Sequence, residues 1–470
     1  MVSPGNVFLC LMNGQLLMQL QNAGNYFKTG STRGYDFRRQ QLQKLKASIL
    51  QYEIQLHDAL YTDLKKSPEE SWVTETGFLI SEINHVLKRL KDWMKPTKVS
   101  TNLLNFPSKS LVYKEPLGVV LIIGPWNYPL QLLLTPLVGA VAAGNCAVVK
   151  PSEFAPATAG VMKKIIEETF AEDFILYVEG DGAVVVPQMM NNFRFDHIFY
   201  TGSTHVGKLI YGMAASKLVP VTLELGGKSP CIVEADANIK VAGRRIALTK
   251  FSNAGQMCVA PDYLLVHSAV KDELISELKK NIRQFFSEDA SGSYNYGKII
   301  NEKQFKRLVA YLQQGRIVYG GKFDASSSYI EPTLIEDISI NEAVMGEEIF
   351  GPLLPVFSFS NFEEAKEIIN RNRDPLAFYV FTESKAKEKQ WIEHVPFGGG
   401  CVNNASWHLT NPNLPFGGRG NSGIGTYHGK YSFDTFTHQK GVMKTPTWFD
   451  PGIKYPPFKG KLALFKKIIK

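Results

Sequence analysis

Apolar side chains recur at steps of three and four residues through the first part of the chain, from about residue 16 to 94. Leu42, Leu45 and Ile49 belong to one such series. This spacing places the apolar side chains on one face of a helix. Residues 67–70 (SPEE) have the composition of a helix N-cap followed by Pro and an acidic first turn. The N-terminal part is therefore predicted to form packed helices whose charged faces contact solvent.

Further along, short apolar runs alternate with helical stretches. Residues 119–123 (VVLII) and 147–149 (AVV) have the composition of strands buried on both faces of a parallel sheet. A helix is predicted over 156–170, and strands are predicted at 175–178 and 197–200. This alternation is typical of a doubly wound α/β sheet, which binds ligands at the carboxyl ends of its strands. The sequence thus predicts a nucleotide-binding fold.

A second alternation of strands and helices follows residue 230, and it predicts a second α/β domain. Its predicted strands are 231–233, 263–266, 353–357 and 379–381, and its predicted helices are 241–251, 270–286, 302–313 and 362–370. Residues 97–101 and 111–113 lie after the N-terminal helices and before the first alternating region. They are predicted to be extended strands near a domain boundary.

The composition excludes several classes of protein. Apolar residues make up 44% of the 470 and charged residues 20%, as in an ordinary globular protein of about three domains. No run of about 18 apolar residues predicts a membrane span, and the start of the chain lacks a basic signal-peptide region. Residues 1–15 are expected to be a poorly ordered extension.

The cysteines, histidines and charges give expectations about the cellular compartment, metal binding and nucleic-acid binding. Five widely spaced cysteines without a CxxC pair suit a reducing compartment, so a cytoplasmic location is expected. Nine scattered histidines show no HExxH, so no metal site is predicted. Most of the net charge of +8 comes from six lysines after residue 453, so no nucleic-acid surface is predicted.

Those lysines flank apolar residues at helical spacing in the last part of the chain, residues 446–470. This basic amphipathic tail fits a helix lying on a membrane surface, which would give the protein a peripheral membrane contact. A helix docked on the protein and a frayed chain end remain alternatives.

One thiol is a candidate nucleophile. Cys258 lies in FSNAGQMCVAP, where Gly255 and Pro261 place it on a turn that a small molecule can approach. Because a free thiol is mostly protonated at neutral pH, it needs help from a helix N-terminus, a cation or a carboxylate acting through water. Considered alone, an isolated cysteine among apolar residues is more often buried and inert.

Two further regions have the composition of a dinucleotide site. GSTHVG, residues 202–207, joins a predicted strand to a helix N-terminus, where free N–H groups favour a pyrophosphate. Its spacing is not GxGxxG, so a βα turn without a ligand is an equal alternative. Lys150 follows a predicted strand and is placed to donate to ribose hydroxyls, while Glu153 is placed to accept from them. Considered alone, these two residues are better explained by a solvated helix start in which Ser152 or Glu153 is the cap.

Two polar residues beside apolar runs are candidates for acid–base and oxyanion chemistry. Glu224 lies between Leu223 and Leu225, which favours a raised pKa suited to a general base. A surface glutamate on an edge strand is the alternative. Asn127 follows a buried strand and offers a side-chain amide to a developing oxyanion, although Asn beside Pro is also a common turn residue.

Seven motifs occur in one order along the chain, and together they are more specific than any one of them. They are GPWNYP, VVKPSE, YTGSTHVG, LELGGKSP, FSNAGQMCVAPDY, EEIFGPLLP and PFGGRGNSGIG. The series resembles that of the aldehyde dehydrogenase superfamily, over about residues 16–457. VAPDY after the cysteine, the compact length and the closing IKYPP resemble its class 3 branch, which includes fatty aldehyde dehydrogenases.

The resemblance implies roles for individual residues. It implies that Cys258 is the nucleophile, Glu224 the general base and Asn127 the oxyanion amide, assisted by the Cys258 backbone N–H. The implied cofactor-binding residues are Lys150, Glu153, Gly202, Ser203, Val206, Gly207, Glu348 and Phe350. Met257 stands where Thr is frequent in the family, which concerns the shape of the aldehyde pocket more than the chemistry.

The resemblance also implies the fold and its domains. It implies an α/β fold with a doubly wound nucleotide-binding domain, an α/β catalytic domain and a small β oligomerisation arm that joins two subunits into a homodimer. The implied divisions are 1–97 and 120–224 for the NAD(P)-binding domain, 225–412 for the catalytic domain, and 98–119 and 413–445 for the bridging arm.

The implied reaction is the oxidation of medium- or long-chain aliphatic or aromatic aldehydes to carboxylic acids. It would pass through a thiohemiacetal and a thioester on Cys258, with NAD as cofactor and NADP also accepted. A CoA-acylating or semialdehyde-specific dehydrogenase is the alternative, although the presence of Glu224 argues against the former. A non-catalytic binding protein is disfavoured because Cys258 and Glu224 are both present.

Overall fold

The fold is described by a computed structural model for residues 4–469, with side chains from residue 14 onward except Ile468. The prediction of a poorly ordered extension at residues 1–15 falls largely outside the described side chains and stays a prediction.

The helices are α1 (Pro4–Lys28), α2 (Tyr35–Gln51), α3 (Glu53–Leu64), α4 (Pro68–Ser71), α5 (Gly77–Trp93), α6 (Pro129–Ala143), α7 (Pro156–Thr169), α8 (Gly182–Asn192), α9 (Thr204–Ala215), α10 (Ile239–Phe251), α11 (Lys271–Phe286), α12 (Glu302–Tyr311), α13 (Ala343–Gly346), α14 (Phe362–Arg371), α15 (Lys385–His394), α16 (Lys430–Thr435) and α17 (Leu462–Ile468). The strands are β1 (Thr97–Val99), β2 (Lys109–Pro116), β3 (Val119–Ile123), β4 (Cys146–Lys150), β5 (Ile175–Tyr177), β6 (His197–Thr201), β7 (Val221–Glu224), β8 (Pro230–Val233), β9 (Tyr263–His267), β10 (Arg316–Tyr319), β11 (Phe323–Asp324), β12 (Tyr329–Ile330), β13 (Thr333–Glu336), β14 (Leu353–Phe359), β15 (Ala377–Phe381), β16 (Gly399–Val402), β17 (Gly423–Ile424) and β18 (Thr437–Lys444).

The N-terminal helices follow the predicted apolar spacing. Leu42, Leu45 and Ile49 of α2 are fully buried, as the three- and four-residue steps require. Ser67 accepts a hydrogen bond from the backbone N–H of Glu70 (3.2 Å), so the predicted N-cap is confirmed. A π-helical turn, Trp72–Thr76, then joins α4 to α5. Such turns are often found at functional sites.

The first sheet has six strands in the order β17-β7-β6-β3-β4-β5. Strands β3 to β7 pair in parallel, and β17 joins β7 antiparallel. Every residue of β3 and β4 is buried, which explains their continuous apolar runs. The four strands predicted in this region are confirmed, and the doubly wound α/β fold with them.

The second sheet has seven strands in the order β10-β13-β14-β9-β8-β15-β16. The four strands predicted in this region are β8, β9, β14 and β15, and all are confirmed. Strand β16 was not predicted because its first two residues are glycines, which weaken a strand signal. Helix α15 was not predicted because Trp391 is its one buried residue, so it has no apolar stripe.

Strands β1, β2 and β18 form a small antiparallel sheet from segments far apart in the chain. Its residues fall in the segments predicted to form the arm, and most of β1 and β18 is exposed. The role of this sheet in oligomerisation stays a prediction.

The predicted C-terminal helix is present as α17. Leu462 and Leu464 are 65% and 43% exposed, while the Phe465 ring contacts the Phe458 ring at 5.8 Å between centroids. No helix among the described residues is long and apolar enough to cross a bilayer. A contact of this tail with a membrane surface stays a prediction.

Candidate active site

The thiol of Cys258 follows α10 on a turn of unusual backbone conformation. Asn253, Ala254 and Gly255 have φ angles of 49°, 50° and 75°, in the left-handed region. A side chain at Gly255 would place its Cβ 2.2 Å from the carbonyl oxygen of Gly351. Glycine therefore lets this turn pack directly against the loop of residues 347–352. The predicted turn at the thiol is confirmed.

The thiol lies on a cavity of about 590 Å³, and its residue is partly exposed. The apolar lining includes Phe78, Leu132, Leu248, Met257, Phe285, Trp407 and Phe416. Cys258 is the one cysteine of the described residues on this lining. The sulfur is therefore accessible to a small molecule, and the interpretation of this cysteine as an inert core residue is wrong.

The resting thiol is protonated. Burial raises the pKa of Cys258 above its ordinary value, and the carboxylates of Glu348 and Glu224 raise it further. The backbone N–H groups of Cys258 and Val259 lower the same pKa by hydrogen bonding to the sulfur. Those two N–H groups therefore stabilise the thiolate, which is the form of the sulfur that attacks a carbonyl.

Glu224 is buried at the end of β7, so the alternative of a surface glutamate is wrong. Its side chain is 3% exposed. Both carboxylate oxygens lack a hydrogen-bond partner in the described part of the chain. Desolvation raises the pKa of Glu224 well above its ordinary value. Both oxygens of this buried carboxyl therefore keep unused capacity to accept hydrogen bonds.

Asn127 is tied to the turn that carries the thiol. Its side-chain Nδ2 donates to the carbonyl of Gln256 (3.1 Å), two residues before Cys258. Its own carbonyl accepts from Asn253 Nδ2 (2.9 Å) and from Lys66 Nζ (2.9 Å). Asn127 is 2% exposed, so this network holds its amide in one orientation.

Lys66 and Glu75 form a fully buried ion pair next to Asn127, which sequence reasoning missed. Lys66 Nζ lies 2.7 Å from Glu75 Oε1, and it also lies 3.8 Å above the ring of Tyr128. Glu75 Oε2 accepts from the N–H groups of Leu130 and Gln131, both at 3.0 Å, at the start of α6. The pair therefore fixes the backbone that presents Asn127.

Replacement of Lys66 by Met is expected to destabilise the fold by about 3–5 kcal/mol, since it leaves the buried Glu75 carboxylate without its cation. The matched control is Lys163→Met, because the exposed Lys163–Glu179 pair has a similar length of 2.7 Å. That control is expected to cost less than about 1 kcal/mol. Urea denaturation of both variants measures the difference, and equal losses would contradict the structural role of the buried pair.

The residues predicted to bind ribose lie at the carboxyl end of β4. Lys150 is 2% exposed and donates to Glu153 Oε2 at 2.5 Å. Glu153 Oε1 accepts from the N–H of Gly182 (3.2 Å). Burial alone would raise the pKa of Glu153, but the hydrogen bond from Lys150 holds that pKa below its ordinary value. The pair lies at the sheet edge where doubly wound folds bind nucleotides.

The predicted phosphate turn begins α9. Ser203 is its N-cap and accepts from the N–H of Val206 (3.4 Å). A Cβ at Gly207 would lie 2.6 Å from Leu225, and a Cβ at Gly202 would lie 2.3 Å from the Tyr200 hydroxyl. Both glycines therefore allow close packing at a helix N-terminus, whose remaining N–H groups suit a phosphate.

Glu348 and Phe350 lie in the loop of residues 347–352, just before β14 of the second sheet, and Glu348 is near enough to the thiol to raise its pKa. A Cβ at Gly226 would lie 1.7 Å from Glu348 Oε2, so this carboxylate rests directly on the glycine backbone. Phe350 has a φ of 49°, and its ring meets Trp126 edge-on with centroids 5.2 Å apart. Desolvation raises the pKa of Glu348 well above its ordinary value.

A second buried ion pair holds the loop of Glu348, and it was also missed. Lys228 is hydrogen-bonded to Asp262, to the Val344 carbonyl (2.8 Å) and to the Glu347 carbonyl (3.0 Å). Asp262 Oδ1 accepts from the N–H of Ile349 (2.9 Å). Lys228 lies in the motif LELGGKSP and Asp262 lies in VAPDY. Their positions in these two motifs were the signal from which the pair could have been found.

These observations define a class of protein. A glycine turn at a helix N-terminus beside the first sheet occurs in the same fold as an accessible thiol with two buried carboxyls near it. This combination is typical of a dinucleotide-dependent enzyme that works through cysteine. The model of the family described as "Aldehyde dehydrogenase family" matches residues 15–442, and the chain belongs to that family. It is an oxidoreductase that acts on aldehydes.

Several curated relatives are similar over nearly the whole chain. A 4,4'-diaponeurosporen-aldehyde dehydrogenase of Staphylococcus aureus is 47% identical over 447 residues, 95% of this chain and 97% of its own. Aldehyde dehydrogenase family 3 member B1 of Rattus norvegicus is 42% identical and covers 94% of each chain. A dimeric NADP-preferring aldehyde dehydrogenase of Rattus norvegicus is 41% identical over 94% of this chain and 98% of its own. The predicted class 3 resemblance is confirmed.

A solved structure agrees with this assignment. The substrate-bound state of Staphylococcus aureus AldH superimposes with a TM-score of 0.93 at 46% identity, covering 96% of this chain and 99% of that one. The predicted fold of the family is thereby confirmed.

Proposed function

We propose that this protein oxidises apolar aldehydes, of medium or long chain or with an aromatic group, to carboxylic acids through a thioester on Cys258. The supporting observation is an accessible thiol on an apolar cavity, with an Asn amide tied to its turn and the buried carboxyls of Glu224 and Glu348 near enough to raise its pKa. The test is NADH or NADPH formation from aldehydes in the absence of CoA.

The first step is attack of the Cys258 sulfur on the aldehyde carbon. The thiol gives its proton to a water molecule as the sulfur attacks, so the Glu224 carboxylate stays free to act as the base in the later steps. The carbonyl oxygen becomes an oxyanion, and we propose Asn127 Nδ2 and the Cys258 backbone N–H as its donors. In comparable sites one such donor contributes about 3–4 kcal/mol to transition-state stabilisation.

The later steps release the acid. After oxidation, a thioester joins the substrate to Cys258. Glu224 then takes a proton from water, and the resulting hydroxide attacks the thioester carbonyl. The bond to sulfur breaks, and the carboxylic acid leaves.

NAD or NADP, when bound, accepts the hydrogen and electron pair that the aldehyde loses. We propose that Lys150 and Glu348 hold its ribose hydroxyls, with Glu153 at the adenosine ribose. Gly202, Ser203, Val206 and Gly207 would face its phosphates. Phe350 would lie beside the nicotinamide. The fit is supported by the close-packed glycines of the turn and by the Lys150–Glu153 pair at the sheet edge.

The charge of Glu153 is expected to favour NAD over NADP, because a carboxylate repels a 2′-phosphate. Glu153→Gln should therefore raise kcat/KM for NADP relative to NAD by about tenfold, or ~1.4 kcal/mol. Steady-state kinetics with both cofactors measure the ratio. The control is Glu179→Gln, an exposed carboxylate paired with Lys163, which should leave the ratio unchanged. An unchanged ratio in Glu153→Gln would remove Glu153 from cofactor choice.

The lining of the cavity supports an apolar substrate. Phe78, Leu132 and Phe285 line it, and Met257 beside the nucleophile adds an adaptable apolar side chain. One relative is named for 4,4'-diaponeurosporen-aldehyde. A semialdehyde-specific enzyme would need a cation for the second charged group of its substrate, and no Lys or Arg lines the cavity in the part of the chain that the structure describes.

The CoA-acylating alternative differs in one requirement. Such an enzyme passes the acyl group to CoA and does not need a hydrolytic base. The buried, unpartnered carboxyl of Glu224 supports hydrolysis instead. Independence of turnover from CoA would support hydrolysis, and an absolute requirement for CoA would overturn it.

Assembly as a homodimer is part of the proposal. It is supported by the exposed three-stranded sheet β1-β2-β18 and by a 41% identical relative whose name includes "dimeric".

A further inference from the structure

A second, smaller groove adjoins the substrate cavity beside the N-terminal helices. It has a volume of about 270 Å³ and lies between α5 and the segment of residues 407–412. Five residues line both the cavity and the groove: Val73, Phe78, Trp407, Leu409 and Thr410. The two spaces therefore share a wall made of these side chains.

The groove is mostly apolar and contains one buried acid. Trp72, Phe78, Trp407 and Leu409 are among its walls, and Glu82 lies on it while being only 5% exposed. Glu82 Oε1 accepts from the N–H of Gly429 at 2.7 Å. Gly429 is the hydrogen-bond partner that the described residues give this carboxyl group, and the bond occupies one of its two oxygens. The carboxyl group of Glu82 therefore keeps capacity to bond to a ligand in the groove.

We propose that this groove is a distal subsite of the substrate site, in which Glu82 recognises a hydroxyl group at the far end of a long aldehyde. The inference rests on the proposed function, because the aldehyde end must be at Cys258. The occupant is the continuation of that same substrate, since the two cavities share a wall.

The chemistry of the subsite favours a hydroxyl over other end groups. A hydroxyl donates to the carboxylate and also accepts from the protonated acid, so it is recognised in both states of Glu82. Burial raises the pKa of Glu82 to about 7, so both states are populated at neutral pH. A terminal carboxylate would be repelled, and a terminal ammonium would have to leave water for an apolar groove.

The test compares three series of unbranched aldehydes of increasing length that end in a hydroxyl, a methoxy group or a methyl group. The wild-type enzyme is expected to show, at the length that reaches the groove, a kcat/KM about tenfold higher for hydroxyl than for methoxy. At shorter lengths the ratio should be close to one. The methyl series tests the proposed function itself, because it needs only the cavity and the thiol.

Glu82→Gln separates recognition from folding. Its amide oxygen can still accept from Gly429, while its NH₂ donates equally to a hydroxyl and a methoxy oxygen, so the preference should disappear. Methyl-ended aldehydes should keep their rates. Ser81→Ala is the matched control, since Ser81 is an exposed residue of the same groove and should leave the preference intact.

Two outcomes would overturn the proposal. They are a wild-type enzyme without a hydroxyl preference at any length, and a preference that survives in Glu82→Gln. If Glu82→Gln does not fold, the length dependence in the wild-type enzyme decides alone. Loss of activity on the methyl series in the wild-type enzyme would instead count against the proposed function.

Discussion

Replacement of Cys258 by Ser is expected to reduce aldehyde oxidation by about a thousandfold or more, because a hydroxyl is a far weaker nucleophile than a thiolate. Affinity for the cofactor should change little, since the residues proposed to hold it come from β4, α9 and the loop of residues 347–352. Steady-state kinetics measure the first effect. Quenching of intrinsic fluorescence on titration with NADH measures the second.

Cys401→Ser is the matched control for that variant. Cys401 is also partly exposed, and its sulfur lies 3.5 Å from His408 Nδ1, but it does not line the substrate cavity. Its replacement should leave turnover nearly unchanged. Turnover of the wild-type size in Cys258→Ser would remove the thiol from the mechanism, whereas a comparable loss in both variants would indicate damage to the fold.

Replacement of Glu224 by Gln is expected to slow release of the acid by about 10²–10⁴-fold, the usual contribution of a general base. Oxidation of the first bound aldehyde should be affected less. Rapid mixing should therefore show a burst of about one NADH per active site, followed by slow turnover. Mass spectrometry of the quenched protein should detect the acyl group on Cys258.

The pH dependence of deacylation gives a second test of Glu224 as the general base. Because desolvation raises its pKa well above the ordinary value, more of the carboxylate base forms as pH rises. Deacylation in the wild-type enzyme should therefore become faster as the pH rises through the pKa of Glu224, and Glu224→Gln should lose that increase. Glu331→Gln is the control, a buried carboxyl that accepts from the Lys322 N–H (3.1 Å) and does not line the cavity. An unchanged steady-state rate in Glu224→Gln would exclude it as the base.

The core strands could be predicted from the sequence because their signal is local. The runs at β3 and β4 are buried on both faces, so continuous Val, Ile and Ala are enough to identify them. The weaker elements could not be predicted. Strand β16 begins with two glycines, and α15 buries one tryptophan, so packing against neighbours decides their structure.

The residues of the candidate site also divide into those that the sequence predicts and those that it does not. Cys258, Glu224 and Asn127 lie in motifs whose residue types suggest their chemistry. The Lys66–Glu75 pair that supports Asn127 could not be predicted, because the backbone groups to which it bonds lie far away in the sequence. Lys66 bonds to the carbonyl of Asn127, 61 positions away, and Glu82 bonds to Gly429, 347 positions away.

The sequence by itself determined the family, the alternation of strands and helices, and the thiol that the chemistry requires, since these depend on residue types at short spacing. Only the tertiary structure decided that Glu224 is buried with unpartnered oxygens, that Lys66 and Glu75 form a buried ion pair, and that the groove of Glu82 shares a wall with the cavity of the thiol. Burial and partnership arise when segments from distant parts of the chain exclude water together, and no local pattern of residues records which segments will meet.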